Sequence, residues 1–76
     1  MNYKAIDVLT AAKQTFENYG NEDYAKSKAN SFLRRCGAKL EDGPDQLVSS
    51  DSVKRIVYAM LDPDSEQVFW ANLGKV

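Results

Sequence analysis

The 76-residue sequence contains no histidine and only one cysteine, Cys36. Without an imidazole, the chain has no Ser–His or Cys–His nucleophile pair and no histidine ligand for a metal ion. A single thiol also forms no disulfide within the chain, and its place on an apolar helix face predicts a buried core thiol. We therefore expect a protein that is not an enzyme, with no catalytic, cofactor-binding or metal-binding residues.

Glycine is scarce, and its positions exclude a nucleotide-binding loop. Gly20, Gly37, Gly43 and Gly74 are spaced as helix ends and a turn, not as a phosphate-cradling fingerprint. The acids of Asp62–Glu66 alternate as in a calcium loop, but the glycine and the later bidentate glutamate of such a loop are missing. We expect neither a nucleotide nor calcium as a ligand.

Long hydrophobic runs are missing too. The longest, Ile56–Leu61, falls far short of the roughly 20 residues that cross a bilayer. Asp7 and Lys13 interrupt the N-terminal stretch before the apolar core of a signal peptide forms. A free cysteine suits a reducing compartment. The expected location is the cytoplasm, with no membrane contact.

The net charge of −1 conceals an uneven distribution of charge along the chain. Residues 1–40 carry seven Lys or Arg against four acids, whereas residues 41–76 carry three against seven acids. Two explanations remain open at this point. Either the two halves attract each other in the fold, or a partner surface has been selected by its charge.

The apolar spacing predicts a single domain over residues 1–76, beginning with two antiparallel helices. The first runs from Tyr3 to Tyr19 and stops at Gly20. The second is capped by Asn21 and closed by Gly37. Their predicted inner stripes are Ala5, Val8, Leu9, Ala12, Phe16 and Tyr19 in the first helix, and Ala25, Ala29, Phe32, Leu33 and Cys36 in the second.

Two further helices are predicted after an irregular segment, Ala38–Val48, whose Leu40, Leu47 and Val48 are expected to close the core. Ser49 or Ser50 caps the third helix, and Asp62-Pro63 opens the fourth, which is expected to end at Gly74. Their inner stripes are Val53, Ile56, Val57, Met60 and Leu61 in the third helix, and Phe69, Trp70 and Leu73 in the fourth.

The predicted fold is an all-α, compact four-helix domain. The alternative is an α+β fold in which the two N-terminal helices pack on a C-terminal β-hairpin made of residues 54–61 and 67–73. Strict alternation along those residues leaves neither strand face cleanly apolar. The helical interpretation is therefore preferred.

Seven residues remain as candidate partner contacts once the core is filled. Tyr24, Lys28 and Arg35 share a stripe beside the core face of the second helix, and Arg34 adjoins it. Tyr and Arg are enriched at protein interfaces, so Arg55 and Tyr58 on the outer side of the third helix are candidate contacts. The fourth helix carries an apolar side chain opposite its inner stripe. The seven candidates are Tyr24, Lys28, Arg34, Arg35, Arg55, Tyr58 and Val68. A purely structural explanation for the first pair is that Tyr24 packs over Lys28.

The expected function is that of a small protein-binding module, a regulatory inhibitor or adaptor acting on a larger bacterial or phage machine. The alternative is a nucleic-acid-binding domain that uses the basic face of the second helix. Against it, Asp64 and Glu66 open the helix that would enter the groove, and the pI is near 5.2. The chain is expected to be either a monomer or a homodimer that pairs through Val68 of the fourth helix.

Overall fold

Four α-helices and two short strands make up residues 1–75, the part of the chain that the computed structural model describes. A single turn of 3₁₀-helix, Leu40–Asp42, lies between the second helix and the second strand. In chain order the elements are β1 Asn2–Lys4, α1 Ala5–Phe16, α2 Glu22–Arg35, β2 Leu47–Ser49, α3 Ser50–Met60 and α4 Pro63–Lys75. The predicted four-helix fold is confirmed, and residues 54–60 and 67–73 are helical rather than a hairpin.

Side-chain caps open three of the four helices, at the residues that the sequence predicts. Asn21 Oδ1 accepts the Tyr24 N–H at 2.8 Å, and Asp62 Oδ1 accepts the Ser65 N–H at 2.8 Å. Ser49, rather than Ser50, caps α3. Each cap satisfies a backbone donor that has no partner within its helix.

The first helix has no side-chain cap and begins against the segment that precedes β2. The N–H of Ala5 donates to the Gln46 carbonyl at 2.7 Å, and that of Ile6 donates to the Pro44 carbonyl at 3.1 Å. The predicted start at Tyr3 is wrong because Tyr3 belongs to β1. The predicted end is also wrong, since the helix stops at Phe16 and leaves Tyr19 exposed instead of on the inner stripe.

The glycines near the ends of α2 and α4 have different roles, since Gly37 follows the end of α2 and Gly74 lies within α4. Gly37 has φ +92°, and the Ala38 N–H donates to the Leu33 carbonyl at 3.2 Å, which is the Schellman arrangement. The predicted stop at Gly74 is wrong, because α4 continues through it to Lys75. A glycine so near a helix end costs the helix only about 1 kcal/mol, and it is not obliged to take a positive φ.

The core forms where small residues let helices approach and large ones fill the space between them. Phe32 of α2 and Phe69 of α4 pack with ring centroids 5.1 Å apart. On α1, the fully buried side chains include Ala5, Ala11 and Ala12, and α1 packs against both α2 and α4. The predicted inner residues Val53, Val57 and Leu73 are buried, as are all five predicted for α2.

Two polar side chains lie inside this core and both are hydrogen-bonded. Thr15 Oγ1 donates to the Ala11 carbonyl at 2.8 Å and accepts from Asn72 Nδ2 at 3.2 Å, which ties α1 to α4. The Ser65 hydroxyl is hydrogen-bonded to the Tyr19 hydroxyl. Within residues 1–75, no buried side-chain nitrogen or oxygen lacks a partner, so neither buried group carries an unmet desolvation cost.

The two strands form an antiparallel pair that closes one end of the helices. Tyr3 pairs with Val48, and Tyr3 also contacts Trp70 at 6.4 Å between ring centroids. Val48 is buried, as predicted, but the prediction that Leu47 closes the core is wrong, since Leu47 is 62% exposed. The reason is the strand geometry, because neighbouring residues point to opposite faces.

Candidate protein-binding surface

Six of the seven candidate contact residues lie on α2 and α3. Lys28, Arg34 and Arg35 are exposed on α2, while Arg55 is exposed on α3. Tyr58, one turn after Arg55, is 87% exposed, the most exposed aromatic side chain among residues 1–75. We call these five residues the α2–α3 surface. Val68 stands apart, on α4.

The two ends of α2 each come close to α3. At one end of the stripe, Tyr24 shares a groove with Met60 and Leu61, where α3 ends. At its other end, Cys36 follows Arg35 directly and feels the charge of Arg55. Arg55 thus lies near the C-terminal end of α2, and the C-terminal end of α3 lies near the beginning of α2.

Within residues 1–75, the Lys and Arg residues of this surface form no ion pair with an acidic side chain. The ion pairs within the described part of the chain are Lys4–Asp45 at 3.6 Å and Lys13–Glu22 at 3.5 Å. None of the Lys and Arg residues of α2 and α3 takes part in them. Only the Lys4–Asp45 pair joins the basic N-terminal half to the acidic C-terminal half, so ion pairing between the halves accounts for little of the charge asymmetry.

Tyr24 differs from Tyr58 in having a partner within the chain. The Lys28 ammonium lies 5.9 Å from the centroid of the Tyr24 ring, within the range of a cation–π contact. This is the structural explanation that the sequence offered for the pair. Tyr24 therefore contacts Lys28 on the surface of α2, whereas the Tyr58 ring projects into solvent.

Cys36 is buried, as predicted, and its thiol is held in the neutral form. Burial raises its pKa from 9.0 to about 11, against the opposing pull of the Arg55 charge. Because the folded pKa lies above the unfolded one, the resulting contribution to stability is fully present below pH 9. It is lost as the pH rises from 9 through about 11.

We expect iodoacetamide at about pH 8 to label Cys36 in the folded protein about tenfold more slowly than in urea-unfolded protein. The raised pKa leaves about 100-fold less thiolate, and the greater nucleophilicity of a more basic thiolate recovers part of that loss. Mass spectrometry measures the labelling rate, and Cys36→Ala is the control that takes up no label. The same variant should also lack the alkaline loss of stability that Cys36 causes. Equal labelling rates would show that the thiol is accessible and not desolvated.

Residues 1–75 contain neither a candidate metal site nor a helix that could span a membrane. No group of three or more Cys, Asp or Glu residues in this range is placed to hold a metal ion. Likewise, no helix in it is long and apolar enough to cross a membrane.

No known protein family matches the chain, and neither curated proteins nor solved structures include a detectably similar one.

Proposed function

We propose that the protein is a non-enzymatic binding module of the cytoplasm that docks an acidic surface of a partner protein on its α2–α3 surface. In this role it acts as an inhibitor or adaptor of a larger bacterial or phage assembly. The observation that carries the proposal is that Lys28, Arg34, Arg35 and Arg55 have no acidic partner within the described chain, beside a Tyr58 ring that is 87% exposed.

The chemistry of these side chains favours an acidic protein surface. An arginine guanidinium offers a planar set of donors that matches a carboxylate in a bidentate way, and Arg34, Arg35 and Arg55 are all exposed. Tyr58 adds a large rigid contact with few rotatable bonds. Uncompensated charge around such a ring steers the encounter and fixes the orientation of the partner.

The test compares two charge reversals on the same helix. Arg35→Glu changes the α2–α3 surface, while Lys26→Glu makes a similar change at an exposed position outside it. We expect the wild type and Lys26→Glu to retain one protein from a nuclease-treated bacterial lysate at equal yield. Arg35→Glu should weaken that binding about tenfold or more, measured by titration calorimetry with the purified partner. Equal loss in both variants would contradict the proposal.

The second candidate function is nucleic-acid binding by the same cations, because unpaired Lys and Arg also meet phosphates. The net charge of −1 and a pI near 5.2 make it the weaker candidate. The two are separated by omitting the nuclease. Nucleic acid that co-purifies with the wild type, with no stoichiometric protein, would reverse the ranking.

We also propose a homodimer through the exposed side of α4. Asp64, Val68, Ala71 and Lys75 repeat there at spacings of four, three and four, and Val68 is 38% exposed. In an antiparallel two-fold pairing, Asp64 of one copy would face Lys75 of the other across the apolar pair. Opposite charges at the two ends of the stripe thus suit a second copy of the chain.

Sedimentation equilibrium of the wild type and of Val68→Asp tests this pairing. We expect a dimer in the wild type at about 100 μM and a monomer in the variant, because the new carboxylate would be buried at the two-fold axis. Ala71→Ser, a small change at the same stripe, should remain dimeric. A monomer mass for the wild type would end the proposal.

A further inference from the structure

A groove of about 180 Å³ opens at the end of the bundle where α1 and α3 finish and α2 and α4 begin. It lies at the opposite end of α2 from Arg34 and Arg35. Three aromatic side chains, two aliphatic ones and one carboxylate contribute to its lining, namely Phe16, Tyr19, Tyr24, Met60, Leu61 and Asp62. The sequence did not predict this groove.

Hydrogen bonds and close packing hold the walls of the groove in place. Ser65 is buried and is hydrogen-bonded to the Tyr19 hydroxyl, so the Tyr19 ring is tied to the start of α4. The Tyr24 ring lies directly against Gly20, where an added Cβ would come within 2.7 Å of it. The binding walls are thus formed in advance, which lowers the cost of ordering them around a ligand.

The carboxylate of the groove is ionised at neutral pH. The backbone N–H and the hydroxyl of Ser65 hold the pKa of Asp62 below its usual value of 3.8. Asp62 Oδ1 accepts that N–H at 2.8 Å, which still leaves lone pairs of the carboxylate for a ligand. A fixed negative charge therefore stands beside aromatic rings.

Acidic side chains are frequent at this end of the bundle. The residues that close α1 and open α2 and α4 include six acids, Glu17, Glu22, Asp23, Asp62, Asp64 and Glu66. One of them, Glu22, is paired with Lys13 at 3.5 Å. These acids outnumber the basic side chains near the same helix ends, Lys13 and Lys28.

We propose that this groove binds the cationic side chain of a Lys or Arg carried by a basic segment of a partner polypeptide. Aromatic rings and the Asp62 carboxylate together attract an organic cation, whereas the same carboxylate would repel an anion. The volume, about that of six water molecules, admits the end of one such side chain. The Lys28 ammonium lies 5.9 Å from the centroid of the Tyr24 ring, so a cation that enters the groove displaces Lys28 from that ring or contacts its other face.

This inference goes beyond the proposed function, because the groove lies at the opposite end of α2 from Arg34 and Arg35. If both are correct, the chain presents one surface to an acidic partner and one to a basic segment. Such a pair of sites favours an adaptor over a simple inhibitor. Failure of one site in its own test leaves the other unaffected.

The test is an NMR titration of ¹⁵N-labelled protein with acetylated, amidated tetralysine, using tetraglutamine as the neutral control. We expect the amide signals of Tyr19, Leu61 and Ser65 to shift most with tetralysine and to stay in place with tetraglutamine. Asp62→Asn is the matched variant, because asparagine caps a helix as well as aspartate does. It should bind tetralysine about fivefold more weakly while keeping the wild-type circular dichroism spectrum.

A second variant, Tyr24→Leu, keeps an apolar wall but removes the ring face, and we expect a similar loss of tetralysine affinity. Wild-type affinity in both variants would overturn the proposal, as would equal shifts with tetraglutamine. If the same signals shift with protein concentration alone, the occupant is a second copy of the chain, and the proposed basic partner segment is wrong.

Discussion

Replacing Phe69 by alanine is expected to lower the free energy of unfolding by about 3–5 kcal/mol. Phe69 is fully buried and packs against Phe32 at 5.1 Å and Trp70 at 5.2 Å between ring centroids. A chain of this length has a total stability of only roughly 4–11 kcal/mol. The loss is therefore a large share of the total stability, and at the lower end of that range it would unfold the protein at room temperature.

Urea unfolding measures this effect, with Trp70 fluorescence and far-ultraviolet circular dichroism as the two probes. The control is Tyr58→Ala, which removes an aromatic ring of similar size from an 87% exposed position and should change stability by less than about 0.5 kcal/mol. A Phe69→Ala midpoint as high as that of Tyr58→Ala would contradict the core described above.

Replacing Tyr3 by alanine should cost about 2 kcal/mol. Tyr3 is half-buried, pairs with Val48 across the sheet and contacts Trp70 of α4, so the change removes both apolar burial and an aromatic pair. Leu47→Ala is the matched change on the opposite, exposed face of the sheet and should be nearly neutral. The same urea experiment decides, and equal effects of the two variants would mean that β1 does not brace α4.

The second and third helices were accessible from sequence because local signals agree there. Asn21 and Gly37 bound α2 as cap and stop, and the apolar spacing between them matches the buried residues. For α3, Ser49 caps the helix and Val53 and Val57 face inward as expected. Where capping and periodicity point to the same boundaries, the local sequence determines the element.

The first strand was not accessible, because nothing local to it indicates a strand. Asn2–Lys4 is too short to show alternation, and its partner, Leu47–Ser49, lies far along the chain. The exposure of Leu47 follows from that pairing. Similarly, Tyr19 continues the apolar spacing of α1, but it lies after the end of that helix. Its hydroxyl is hydrogen-bonded to Ser65 of α4. Long-range contacts decided both positions.

The candidate sites divide in the same way. Exposure of Arg35, Arg55 and Tyr58 follows from helical periodicity once the core faces are known. The groove depends on the directions of all four helices, which periodicity does not supply. The available signals were Tyr19 and Tyr24, which flank Gly20, and an acidic cap, Asp62, that begins the last helix.

The most direct test of the proposed partner surface is a photo-crosslink from the position of Tyr58. A benzophenone amino acid placed there, and in parallel at Gln14, an exposed position on α1, would be irradiated in living bacterial cells. The proposed α2–α3 surface predicts one protein adduct from position 58, absent from position 14 and strongly reduced by Arg35→Glu. Adducts of equal yield from both positions, or a nuclease-sensitive adduct from position 58, would contradict it.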